Sequence, residues 1–241
     1  MIRILILALV WILSIVFSVI WSYENPEKVE LIKSYFKKKQ TVEVKKASSN
    51  IQKFTANSFT VEVEKVLDIN DKTAFVTHPK NEEFDAKKLT IYTQSGSVIK
   101  NLVPKKIDLP NSFTLQRNGG IKTIIYNGQE VFALISAKEK DCFFALLTNI
   151  KNKRELFKTE CLPEKAKNND FNGLGSSNLH VDGKILFSIG TPEKHASKNS
   201  LLAQDKNSKF GKILEIDKNQ LNKDQKVEVK VFSMGHRVPQ G

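Results

Sequence analysis

Four histidines, a late arginine, two cysteines and a few Asp and Asn residues at turn-like positions are the side chains of this chain that could do chemistry. Histidine titrates nearest neutrality, which makes it the usual general base. His78 and His195 stand in Lys- and Pro-rich stretches and read as solvated. His180 follows Asn178 and Leu179 in a strand-like segment. It reads either as a base or as a partly exposed strand histidine, since nothing at a fixed spacing supplies an orienting partner. His236 and Arg237 occur together in Gly235-His236-Arg237-Val238-Pro239-Gln240-Gly241. An arginine fork holds a carboxylate through two parallel hydrogen bonds, whereas the same heptapeptide also reads as a structural turn. Asp205 and Asn207 are short polar side chains of the kind that pin loops. The carboxylates do not gather at the spacing of a dedicated calcium loop. Cys142 and Cys161 stand 19 positions apart, with no C-x-x-C or Cys/His cluster to suggest zinc. They read as a disulfide in an exported chain or as two buried thiols in a reducing compartment.

The elements that must position these residues are short strands. Thr60 to Val66 alternates in hydropathy, Thr73 to Thr77 and Leu89 to Thr93 are rich in β-branched and aromatic residues, and Gln94-Ser95-Gly96-Ser97 is a turn. Ile121 to Ile125, Asn127-Gly128 and Glu130 to Ser136 form the clearest hairpin, with the Asn-Gly pair supplying the positive φ angles of a type I′ turn. Phe143 to Leu147 begins the next strand. Further strands run over Lys212 to Asp217 behind Gly211 and over Val231 to Met234 before Gly235. Many short strands without a helix-length amphipathic run predict an all-β sandwich or propeller.

Three segments in fixed order, DGKILFSIG from Asp182, AQDKNSKFGKILEID from Ala203 and GHRVPQG from Gly235, resemble the soluble quinoprotein glucose dehydrogenases and their aldose and sorbosone dehydrogenase relatives. The likeness covers roughly Asn172 to Gly241, with a weaker extension over GGIKTIIYNGQEVFALIS. It implies a six-bladed β-propeller that holds pyrroloquinoline quinone (PQQ) in its central well, often with calcium, and oxidises a sugar. In that family a histidine just before the D-G-K strand is the base, and the arginine and asparagine of G-H-R-N face the quinone's carboxylates and carbonyls. On this resemblance Arg237, with His236 beside it, is the expected cofactor-binding residue. This chain departs from the pattern in two places. Asn172 to Ser177 holds neither the histidine nor the following arginine, which leaves His180 as the available base, and Val238 replaces the asparagine. The resemblance therefore implies either a PQQ-dependent aldose dehydrogenase or a non-catalytic propeller kept as a glycan-binding or assembly module.

The chain has 241 residues and a formal charge of +12, yet its lysines are scattered, without an Arg-rich arm or a basic stretch interleaved with aromatics, so nucleic acid is not an expected partner. Ile4 to Ile20 is a nearly uncharged apolar run, at the low edge of the roughly 20 residues that cross a bilayer core. It reads as an anchor, with Trp21 and Tyr23 at the interface, more than as a cleaved signal, since no A-x-A-like site follows. The expected layout is an inner-membrane anchor or signal over 1–23, a juxtamembrane stalk over 24–45 containing a short helix, and a periplasmic partial propeller over 46–241. At about 40 to 45 residues a blade, this last stretch suffices for roughly four blades. The expectation is a fragment, or a half that a second chain completes.

Overall fold

The computed structural model describes residues 42–46, 51–56, 59–163, 171, 178–192 and 198–237. Over these the protein is all-β, 51% strand, with no helix of seven or more residues and no sheet closed on itself. No helix among the described residues is long and apolar enough to cross a membrane, and the expected anchor and the stalk up to residue 41 lie outside them.

The strands are β1 (Val44–Lys46), β2 (Ile51–Ala56), β3 (Phe59–Glu64), β4 (Leu67–Ile69), β5 (Thr73–Thr77), β6 (Thr90–Thr93), β7 (Ser97–Lys100), β8 (Val103–Lys106), β9 (Ile121–Asn127), β10 (Glu130–Glu139), β11 (Cys142–Asn149), β12 (Glu155–Lys158), β13 (Leu162–Pro163), β14 (Asn178–Val181), β15 (Lys184–Ile189), β16 (Lys212–Asp217) and β17 (Lys230–Met234). β1 pairs with β4, and β2 with β3 forms a separate hairpin. The rest fall into three antiparallel four-stranded meanders in chain order: β5 to β8, β9 to β12 with β13 added on β11, and β14 to β17.

The middle meander explains why the run Val131 to Ile135 is apolar without alternation. Successive side chains of a strand point to opposite faces. Phe132 and Leu134 of β10, with Phe143, Ala145 and Leu147 of β11, enter one core together with Ile185, Phe187, Ile189, Leu214 and Ile216 of the third meander. Ala133 and Ile135, with Phe144 and Leu146, enter a second core with Tyr92 and Val98 of the first meander. Both faces of the sheet are thus buried, and each fully buried Phe, Leu or Ile side chain contributes roughly 1.5 to 3 kcal/mol. The far face of the third meander is uncovered by comparison: Leu179 is 58% and Phe232 60% exposed.

Turn chemistry sets the registers. Asn127 pairs with Glu130, so the loop of the clearest hairpin is Gly128-Gln129. Only Gly128 has positive φ (+64°), which corrects the expected type I′ Asn-Gly turn to the II′ pattern with Gly in the first central position. Asp182 and Gly183, at φ +47° and +76°, make the β14–β15 turn of the I′ kind. The first strands of successive meanders are neighbours, β9 lying against β5 and against β14. Asn178 of β14 fastens the last contact, its Nδ2 donating to Thr123 Oγ1 (2.9 Å) and to the Ile124 carbonyl (2.8 Å).

Candidate functional site

Two of the sequence segments singled out for chemistry meet at one end of the third meander. Asp205 opens the first: its Oδ1 accepts from Asn207 N (2.9 Å) and its carbonyl from Ser208 N (3.2 Å), so the turn is pinned by Asp205 while Asn207 contributes its backbone. Gly211 follows with φ +69° and its Cα pressed on the end of the 3-10 helix Lys198–Ala203; a Cβ there would meet Ala203 Cα at 2.4 Å. The chain then enters β16 at Lys212, runs back along β17 and reaches Gly235. Gly235 N lies within hydrogen-bonding distance of the carbonyls of Ala203 (3.0 Å) and Gly211 (3.1 Å), and His236 N donates to Gly211 O (3.1 Å). The Arg237 carbonyl accepts from Thr191 N (2.8 Å) and Thr191 Oγ1 (3.2 Å). His236 Nε2 lies 2.9 Å from Ser233 Oγ, so the imidazole is engaged locally; Arg237 stands at the exposed end of the turn.

Sequence reasoning missed Lys212 at the centre of this arrangement. It is fully buried, and its Nζ donates to the carbonyls of Leu202 (2.7 Å), Ala203 (3.0 Å) and Phe210 (2.8 Å). Three acceptors match the three protons of an ammonium, and a neutral amine would leave one acceptor unserved. Burial pushes the ammonium's pKa down, opposed by the more distant carboxylates Glu160 and Asp205. The signal was present in the sequence: Lys212 has the parity of the buried Leu214 and Ile216, a charge on a core face. Glu160 was also missed. Its carboxylate accepts from Ser208 Oγ and from Lys209 N (3.1 Å), tying the loop to the chain beside Cys161. Cys161 and Cys142 form the expected disulfide, which fastens β13 to the start of β11. Next to it a surface cavity of about 330 Å³ is lined by Glu139, Lys140, Phe144 and Lys158 as well as the two cysteines.

His180 lies elsewhere. It pairs with Ile185 on β14, while Met234, just before the Gly235 turn, shares a row with Lys212 and Ile189. The two rows are four residues apart, about 13 Å along the strand, and His180 is a further three strand spacings, about 14 Å, across the sheet. Desolvation lowers the pKa of His180, and the nearby Lys218 lowers it further. A base there and a cofactor held at Arg237 would not face one another. His78, expected to be solvated, is half-buried: it stacks on Phe84 (5.7 Å) and its Nδ1 lies 2.9 Å from the Pro79 carbonyl. His195, Asn172 to Ser177 and Val238 to Gly241 lie outside the described residues.

What the described residues offer PQQ is the Arg237 guanidinium, a match for a quinone carboxylate. Among the described residues no group of three or more His, Cys, Asp and Glu side chains could hold a metal ion. No protein-family model, no curated protein and no solved structure matches the chain.

Proposed function

We propose that this chain is a propeller-type module, similar in sequence to the quinoprotein sugar dehydrogenases, that binds a sugar or glycan without oxidising it. The propeller reading is supported by three successive four-stranded meanders whose first strands neighbour one another and whose middle sheet is buried on both faces. The observation that carries the non-catalytic reading is the separation of His180 from the Gly235–Arg237 end of the sheet. The remaining uncovered sheet face, with Leu179, Val181 and Phe232, suits a further blade, supplied by this gene product or by a second chain. The disulfide suits an oxidising compartment, in keeping with a periplasmic body behind an inner-membrane anchor.

The second reading is PQQ-dependent oxidation of an aldose, favoured by the exposed Arg237 at the point where the two sequence segments join. Isothermal titration of the full chain in detergent with a panel of aldoses and oligosaccharides, beside turnover measurements with PQQ, calcium and an artificial electron acceptor, separates the two. Saturable sugar binding without turnover is the expected result. Turnover that depends on PQQ establishes the dehydrogenase instead, and failure to bind any sugar or PQQ removes both readings.

A further inference from the structure

The geometry points to Lys212 as a positioning residue, whose buried ammonium sets the Gly235-His236-Arg237 turn by holding the Ala203 carbonyl, which Gly235 N also binds, and the Phe210 carbonyl, one residue before the Gly211 carbonyl that Gly235 N and His236 N bind. The two contacts are one direct and one indirect. The Ala203 carbonyl lies 3.0 Å from both Lys212 Nζ and Gly235 N. The Gly211 carbonyl, which receives Gly235 N and His236 N, belongs to the Gly211–Lys212 peptide, directly after the Phe210–Gly211 peptide whose carbonyl Nζ binds at 2.8 Å. The third carbonyl, of Leu202, fixes the end of the 3-10 helix against which Gly211 is packed.

A buried cation is retained only where it is hydrogen-bonded, and Lys212 Nζ donates to three carbonyls. Its direct partners are the three carbonyls, with the carboxylates of Glu160 and Asp205 farther off, and those carbonyl dipoles converge on one point. That convergence fixes the Ala203 carbonyl, which also accepts from Gly235 N, and the Phe210 carbonyl directly before Gly211. Leu or Met at 212 would satisfy the hydrophobic neighbours Leu214 and Ile216 equally well but would take one donor from each of three carbonyls, leaving Ala203 O to Gly235 N and Leu202 O to Asp205 N. The inference deepens the reading of the Gly235–Arg237 turn as part of the binding site and rests on it only for the purpose of the turn.

Hydrogen exchange on the full chain, read residue by residue, tests it. In Lys212→Met the amides of Gly235 and His236 are expected to exchange at least about tenfold faster, while β9 to β11 keep their rates, because only the local opening becomes easier. Equal acceleration throughout β14 to β17 would reveal a merely structural lysine, and unchanged Gly235 and His236 amides would overturn the inference as well. Should Lys212→Met fail to fold, the unsubstituted chain still decides the matter. Its Lys212 ammonium protons should become exchangeable in the same opening as the two amides, at rates agreeing within about threefold, and an ammonium exchanging like a surface lysine refutes the coupling. Sugar and PQQ binding by the unsubstituted chain is scored separately, so loss of the proposed function leaves this result intact.

Discussion

Breaking the disulfide by replacing Cys142 and Cys161 together with Ala isolates the contribution of one covalent tie to one short strap. The two cysteines are 19 residues apart and enclose β11, its hairpin to β12 and the return that carries Glu160. In the chain-entropy picture a loop of this length withholds about 11 cal/mol/K from the unfolded chain, which is about 3 kcal/mol at 25 °C. The strap is also held by Thr159, bonded through N and Oγ1 to Ala145, and by Leu162 in the core. β13 pairs with β11 only through Cys142 with Pro163 and Phe143 with Leu162, and Glu160 binds Ser208 and Lys209. The bridge therefore outweighs any one of them, since a single hydrogen bond contributes about 1 kcal/mol net. Urea unfolding followed by far-ultraviolet circular dichroism should lose about 3 kcal/mol, and the thermal midpoint should fall by roughly 6 to 12 °C for a body of this size. The same variant should loosen the Ser208 and Lys209 amides before those of β10. A loss under about 1 kcal/mol would refute the argument, because it would mean that the unfolded chain gains no freedom when the loop is opened.

His180 gives a pH signature. Its folded pKa lies below the ordinary histidine value, because burial and the Lys218 charge disfavour the imidazolium. The unfolded chain then binds more protons in the interval between the two pKa values, so stability rises with pH across that interval and is lost as pH falls through it. His180→Gln should flatten the slope just below pH 6.5, and Lys218→Ala should raise the imidazole pKa in an NMR titration; an unmoved titration would exclude Lys218 as a cause. Gly211 and Gly128 separate space from strain. Both have positive φ, but a Cβ at Gly128 meets nothing within 4 Å whereas one at Gly211 strikes Ala203 at 2.4 Å. Gly128→Ala should cost about 1 kcal/mol and Gly211→Ala about 3 kcal/mol or more in chemical denaturation, and equal losses would show that the Ala203 contact relaxes freely. Asn178→Ala removes the side-chain tie between β14 and β9, leaving Ile124 O with one donor fewer, for an expected loss of about 1 to 2 kcal/mol in the same measurement.

The strands themselves were legible. Alternation located β3 and β16, and the run before Gly235 located β17, each to within a residue or two, because a half-buried strand and the turn that ends it both leave marks in adjacent residues. β10 is different in kind. Val131 to Ala137 carries no period-two pattern, since its two faces enter two separate cores, and a run of that sort identifies a strand by its length and flanks alone. The Asn127-Gly128 pair misled by one position because which residues form a two-residue loop depends on strand register, which the opposite strand decides.

The candidate site was legible as two segments and illegible as one place. Nothing in the residues between Asp217 and Lys230 says that β17 returns antiparallel to β16, and it is this pairing, Met234 opposite Lys212, that carries Gly235 to the Ala203 and Gly211 carbonyls. The resemblance draws attention to the side chains of His236 and Arg237, whereas their backbone is bonded at Gly211 for His236 N and at Thr191 for the Arg237 carbonyl, contacts that the heptapeptide alone does not announce. Lys212 shows why such a link escapes notice. A lysine in a sequence of scattered lysines looks like surface, and only its parity with Leu214 and Ile216 marks it as interior. Once the strand is granted, an interior ammonium must be met by acceptors, and the nearest are the carbonyls of the turn that precedes it. The co-occurrence of the Ala203–Lys212 and Gly235–Arg237 segments then has a physical counterpart, since the carbonyls of Ala203 and Gly211 accept from the amides of Gly235 and His236.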